Sequence, residues 1–146
     1  MDATRRVVTL GEEDYDAILA VWQAAGLSIR PTGRDSREAF GAQLASGMQQ
    51  VFGVRVDERL AGVVVATHDG RKGWINRLAV HPDFQRQGIA LDLIEAAEQW
   101  MRDQGLHVFA ALVEWPNEAS EGVLAKAGYT THPDIRYFSK RDSADA

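Results

Sequence analysis

The chain alternates between two hydrophobic periods, one near two residues and one near three and a half. RRVVTL, residues 5–10, is a short β-branched run and reads as a first strand. From about Glu12 the period lengthens, with Tyr15, Ile18, Leu19 and Trp22 on one face of a helix that stops near Gly26. RPTGRD is a turn-rich connection. Asp35 with Glu38 three residues on resembles a capping box, opening a short helix with Phe40 and Leu44 on its apolar face. QQVFGVRVD, a turn at Asp57, Glu58 and Arg59, LAGVVVATH, and then WINRLAV after DGRKG predict three strands in an antiparallel meander.

The period lengthens again after His81. Ala90, Leu93, Ile94, Ala97 and Met101 form one apolar stripe, with Asp92, Glu95, Glu98, Gln99 and Arg102 on the rest and Gly105 at the C-cap. LHVFAALVE is a near-continuous apolar strand of the kind covered on both faces. Strand, long helix and strand together predict a right-handed βαβ crossover. NEASEGVLAKAG predicts a further helix closed by Gly128, and IRYFSK a last strand. The expected order is β-α-α-β-β-β-α-β-α-β, a mixed α/β structure with one central sheet and helices on both faces. Residues 1–146 form one expected domain, with 141–146 a frayed polar tail.

Composition narrows the function classes. A net charge of −5 speaks against a nucleic-acid partner, which wants a basic field. No apolar run approaches membrane-spanning length and the N-terminus lacks a signal-peptide core, so a cytoplasmic protein with no membrane partner is expected. Having no cysteine, the chain has no thiolate nucleophile and no disulfide; its four histidines lack paired spacing, so no metal site is expected. The tryptophans, Trp22 and Trp100 in particular, lie on helical stripes and are expected in the core.

HPDFQRQGIA is the stretch with chemistry in it. A helix that starts at Gly88 exposes its first backbone N–H groups at the positive end of the helix dipole, which is an anion site. Gly88 and Ala90 leave those donors open, and Gln85, Arg86 and Gln87 add side-chain donors. A pyrophosphate suits this chemistry. Neither G-x-G-x-x-G nor G-x-x-x-x-G-K-[ST] occurs, so neither a Rossmann nor a P-loop reading is available.

These residues resemble the acetyl-CoA-binding motif of the GNAT superfamily of N-acetyltransferases, whose loop reads [QR]-x-x-G-x-[GA]. Residues 85–90 match its fixed positions, and Leu78, Val80 and Pro82 match the L-x-V-x-P that leads into it. Asn117, Ser120, Lys126, Gly128 and Tyr129 fit a second signature, N-x-x-[AS] followed by K-x-G-[FY]. The likeness runs roughly from residue 5 to 140 and is strongest from 78 to 129. It implies that acetyl-CoA is the co-substrate. The amides of Gln85, Arg86, Gln87, Gly88, Ile89 and Ala90 would hold the pyrophosphate. Leu78, Ala79 and Val80 would bond the pantetheine arm and aim an amide at the thioester carbonyl, and Asn117 would contact the arm from the next helix. The implied activity is acetyl transfer to a primary amine of a small molecule or peptide. The alternative is a GNAT-like module that holds CoA without turnover.

The chain departs from the family pattern at Leu124, where many relatives place a tyrosine as acid for the departing thiolate. Tyr129 matches a position that usually packs. Glu114 is the candidate general base, set against a solvated strand-end carboxylate. Asn76 shares a predicted strand face with Leu78 and Val80 and could orient a water. His81, before Pro82, is expected to cap the loop. For the acceptor, Arg30 and Arg34, with Arg37, cluster between the first two helices on an otherwise acidic chain, and suggest an amine that also bears an acidic group. The same arginines could instead be neutralised by Asp35 and Glu38, and the net charge favours polyamines or basic peptides. A homodimer is left open.

Overall fold

A computed structural model describes residues 4–113 and 117–146. The elements run β1 (Arg5–Leu10), a 3-10 turn (Glu12–Asp14), α1 (Tyr15–Ala24), α2 (Arg37–Ala45), β2 (Gln49–Val56), β3 (Arg59–His68), β4 (Gly73–Val80), α3 (Ile89–Asp103), β5 (Phe109–Ala111) and α4 (Glu118–Lys126). The five strands form one sheet in sequential order. Its first four strands are antiparallel neighbours, and β5 joins β4 in parallel after the α3 crossover.

Each sheet face buries one set of helices. On one face, Leu93, Ala97 and Met101 of α3 pack with Val54, Val64, Ala66 and Ile75. On the other, Ile18, Val21 and Trp22 of α1 and Phe40 of α2 pack with Val51, Val63 and Val65. Each such side chain contributes about 1.5–3 kcal/mol by leaving water. Trp100 is only half-buried and packs at a tilt against His68, with ring centroids 5.5 Å apart.

Gly62 on β3 lets α3 lie close to the sheet. A Cβ there would come within 2.8 Å of Ile89 Cγ2, 3.0 Å of Leu93 Cδ1 and 3.2 Å of the Ala79 carbonyl oxygen. Because Ile89 is the first residue of α3, this contact fixes where the helix begins.

The structure departs from expectation in three places. Asp35 is not an N-cap: Ser36 takes that role, its hydroxyl accepting from the Ala39 N–H at 3.1 Å. Asp35 is drawn instead into the interior by an arginine from β4. No strand forms over residues 135–140, where Ile135, Tyr137 and Phe138 stand exposed. Their apolar pattern has no neighbouring strand to pair with, and a strand needs one.

The third departure lies in β4. Val63 pairs with Ala79 and Val65 with Asn76, so Arg77 and Leu78 together face the single residue Val64. This is a β-bulge, with Arg77 at φ 50°. The extra residue inverts the alternation. Ile75 faces α3, whereas Ala79, four residues on, faces α1. Asn76, opposite Val65, is therefore on the α1 face, while Leu78 and Val80 pack on the α3 face. Asn76 does not share a face with them, as uniform alternation had suggested.

Candidate active site

The loop before α3 is built from buried anchors and exposed donors. Phe84 and Ile89 are buried, and Gln85, Arg86, Gln87 and Gly88 between them are exposed. His81 caps the turn: its N–H donates to the Ala61 carbonyl at 2.8 Å, and its Nδ1 accepts from the Asp83 N–H at 3.1 Å. Arg59 donates to Asp83 at 2.9 Å and stacks over Phe84. That hydrogen bond, with the His81 ring adding to it, holds the Asp83 carboxyl below its ordinary range. Arg5 reaches across from β1, donating to the Gln87 carbonyl and pairing with Asp92 at 3.1 Å.

Two residues of this loop are left-handed, Arg86 at φ 64° and Gly88 at φ 80°. Gly88 is the N-cap of α3 and supplies no side chain to cap it. The first helical bond runs from the Asp92 N–H to the Gly88 carbonyl at 3.2 Å. The amides of Ile89, Ala90 and Leu91 therefore have no helical acceptors and can bind an anion. Of the expected donors Ile89 and Ala90 are open in this way, and Leu91 joins them.

A cleft of about 650 Å³ opens beside β4. β4 and β5 pair over only three residues, ending at Ile75 and Ala111. Beyond that point β4 has no strand on its β5 side among the described residues, and its free edge begins where the bulge does. Asn76, Arg77 and Leu78 from β4, Ala111 at the end of β5, Leu112 and Val113 beyond it, and Asn117 and Leu124 of the α4 segment all line the cleft. Trp22, Ser28, Arg34, Asp35 and Thr67 line it too.

Asn117 caps α4, its Oδ1 accepting from the Ser120 N–H at 3.2 Å. Asn76 donates from Nδ2 to Thr67 Oγ1 at 2.9 Å, which leaves its Oδ1 as an acceptor. Ala79 and Val80 are not among the cleft-lining residues; Ala79 is buried against α1. Glu114, the candidate base, lies outside the described residues. Leu124 presents an aliphatic side chain to the cleft. Tyr129 does not reach it: its hydroxyl donates to Glu98 at 2.7 Å, and burial and the Glu98 carboxylate together raise its pKa. Among the described residues no cluster of three or more histidines, aspartates or glutamates could hold a metal. No described helix is long and apolar enough to cross a membrane.

The three arginines of the α1–α2 region separate. Arg34 lines the cleft, and the only hydrogen bond found for it among the described residues is one its backbone carbonyl accepts from Gln43. Arg30 is not a cleft residue; its Nε is buried with no partner among the described residues, and its backbone forms the turn. Arg37 stacks on Tyr15 and pairs with Asp16 at 2.7 Å. Arg77, which sequence reading passed over, enters the cleft instead. Its guanidinium donates to Asp35 Oδ2 at 2.6 Å and to the Ser28 carbonyl at 2.5 Å, and lies 4.9 Å from the Trp22 ring centroid. No local pattern marks this pairing, which joins residues 42 apart.

The fold recurs in solved acetyltransferases. Aminoglycoside N-acetyltransferase AAC(6')-Iy, in complex with a bisubstrate analogue, superposes with a TM-score of 0.78 at 17% identity, covering 94% of this chain and 99% of that one. The PaiA N-acetyltransferase of Thermoplasma acidophilum, in complex with coenzyme A, gives 0.76 at 17% identity over 88% and 91%. In sequence, an acetyltransferase of Pectobacterium atrosepticum is 28% identical over 120 residues, 82% of this chain and 84% of its own. The family model for the Acetyltransferase (GNAT) family matches residues 16–129, from α1 to Tyr129. With the anion-ready start of α3, the bulged β4 and the parting of β4 from β5 inside that span, the chain belongs to the GNAT family of acetyltransferases.

Proposed function

We propose that this protein is an acetyl-CoA-dependent N-acetyltransferase acting on a primary amine of a small molecule or peptide. The observation that carries the reading is the set of open amides at the start of α3, on the loop that leads out of β4, whose free edge borders the cleft. A pyrophosphate on the amides of Ile89, Ala90 and Leu91 would leave the pantetheine arm to pass along Leu78, Ala79 and Val80. AAC(6')-Iy and the Thermoplasma enzyme, which share the fold, hold CoA or a CoA-derived analogue, in keeping with this path.

The reaction is direct. The amine lone pair attacks the thioester carbonyl carbon, the nitrogen gives up a proton to the base or to water, the tetrahedral intermediate collapses, the C–S bond breaks and CoA leaves as thiolate. A lysine-like amine with a pKa of about 10.4 is free base in only about one molecule in 2,500 at pH 7, so a proton must be removed first. Glu114 is our candidate for that base. Asn76 Oδ1, an acceptor in the cleft wall, is suited to orienting a water or the amine N–H. A backbone N–H at the β4 edge would stabilise the oxyanion. With Leu124 in the cleft, the thiolate takes its proton from solvent or leaves without one.

On the acceptor side, Arg34, whose side chain has no partner among the described residues, favours an amine that also carries a carboxylate or phosphate. Thiol release measured with acetyl-CoA across amino acids, peptides, polyamines and aminoglycosides tests both parts. Turnover on carboxylate-bearing amines, with a raised KM for them in Arg34→Ala, is the expected result. Preference for spermidine or an aminoglycoside would remove the acidic-group reading and leave the activity standing. Leu124 also favours a second reading, a module that binds CoA without turnover; tight acetyl-CoA binding with no release on any amine would establish it.

A further inference from the structure

Arg77 combines three features that ordinary sheet residues lack. Its backbone sits at φ 50°, a region arginine seldom visits and holds only where surrounding contacts enforce it. Its guanidinium is largely buried, at 19% exposure, against an Asp35 carboxylate at 8%. It also bridges two segments that share no other hydrogen bond or ion pair among the described residues. One is the β4 bulge, whose next residue, Leu78, lies at the edge where the thioester arm would run. The other is the α1–α2 connection, bonded through the Ser28 carbonyl and Asp35. Asp35 relays the grip, its Oδ2 also accepting from the Arg30 N–H at 2.6 Å, and Tyr15 donates to its carbonyl at 2.5 Å. Trp22 supplies the floor beneath the guanidinium.

We infer that Arg77 is the positioning residue of the acceptor side: it pins the α1–α2 connection to the β4 bulge and so sets where the acceptor amine lies relative to the thioester. This rests on the acetyl-CoA-dependent transfer proposed above. Trp22, Ser28, Arg34, Asp35 and Arg77 all line the same cleft, so a shift of this connection moves Arg34 and the acceptor wall together. The CoA loop is anchored separately, through His81, Phe84, Arg59 and Arg5. The loop that would grip the pyrophosphate, and with it most of the affinity for acetyl-CoA, is therefore held independently of the pin. A planar fork making two directed bonds while stacking on an indole is a task lysine performs poorly.

Three variants decide the matter. Arg77→Gly removes the pin and relieves the left-handed backbone, Arg77→Lys keeps the charge and loses the fork, and Arg77→Gln with Asp35→Asn leaves no lone buried charge. Each is measured for thermal melting, acetyl-CoA affinity by titration calorimetry, and KM and kcat on the amine panel. The expected result is a rise of about tenfold in acceptor KM, an altered order of preference among amines, and acetyl-CoA affinity within about twofold of wild type. Lysine should restore only part of the loss. Folded variants with wild-type acceptor KM and the same order of amines would overturn the inference while leaving the activity intact. Collapse of all three variants would reduce Arg77 to a structural strut and overturn it as well. A wild-type protein that neither binds acetyl-CoA nor releases thiol would instead refute the proposed function and take this inference with it.

Discussion

One methyl group added at Gly62 tests whether packing behind the CoA loop sets its geometry. The new Cβ of Gly62→Ala would sit 2.8 Å from Ile89 Cγ2 and 3.0 Å from Leu93 Cδ1, where carbon atoms prefer about 3.5–4.0 Å. Both neighbours are almost fully buried, so neither can swing into solvent, and the third close atom is the backbone oxygen of Ala79. Overpacking of this kind costs about 1–3 kcal/mol. Loss of glycine's freedom in the unfolded chain returns about 0.4–1 kcal/mol, since Gly62 does not need a positive φ. The net expectation is a destabilisation of about 1–2 kcal/mol, or a fall of about 3–6 °C in Tm for a domain of this size. Because the strain falls on the first residue of α3, the amides of Ile89, Ala90 and Leu91 shift with it, and acetyl-CoA affinity drops several-fold although the mutated residue is outside the cleft. Differential scanning calorimetry and acetyl-CoA titration read the two effects. An alanine variant as stable as wild type with unchanged affinity would show slack between α3 and β3, and the account of how the loop is positioned would be wrong.

Ala90→Glu should abolish acetyl-CoA binding by setting a carboxylate among the loop amides, yet leave Tm unchanged or slightly raised because an acid in the first turn suits the helix dipole; unaltered affinity in calorimetry refutes the pyrophosphate assignment. Tyr129→Phe should cost about 1–2 kcal/mol at neutral pH through loss of the bond to Glu98, with no change in kcat. The folded-state pKa of Tyr129 is raised, so its contribution is complete below the unfolded value near 10 and is lost as pH climbs through the folded value; the variant should lack that alkaline loss in denaturation curves taken at rising pH. A large fall in kcat would instead give Tyr129 the role of acid. Glu114→Gln should depress kcat on the rising limb of the pH–rate profile and leave acetyl-CoA affinity intact; wild-type rates at every pH would end its candidacy as base.

Much of this protein was determined within short windows of its sequence. The apolar runs of β2, β3 and β4 and the period-3.6 stripe of α3 follow from which positions must leave water, and the elements appear where the pattern puts them. The loop from Gln85 to Ala90 was legible for the same reason: a glycine N-cap and a run of unpaired amides are properties of consecutive residues. His81 capping the turn is another local event.

What the tertiary structure alone decided depends on partners far apart in the chain. Three neighbouring arginines look equivalent in sequence, yet Arg34 reaches the cleft while Arg30 and Arg37 turn elsewhere. Asp35 has the spacing of a helix cap, but Ser36 caps equally well at the next position, and only the fold brings Arg77 close enough to draw the carboxylate inside. The bulge at Arg77 is invisible to a rule of alternation, because nothing in NRLAV marks the extra residue until β3 is laid beside it. IRYFSK carries strand propensity and forms no strand, since a strand is completed by its neighbour rather than by its own residues. Local conformation is a contest among nearby φ and ψ choices that sequence can settle, whereas ion pairs, bulges and strand edges are settled by which surfaces the fold brings together.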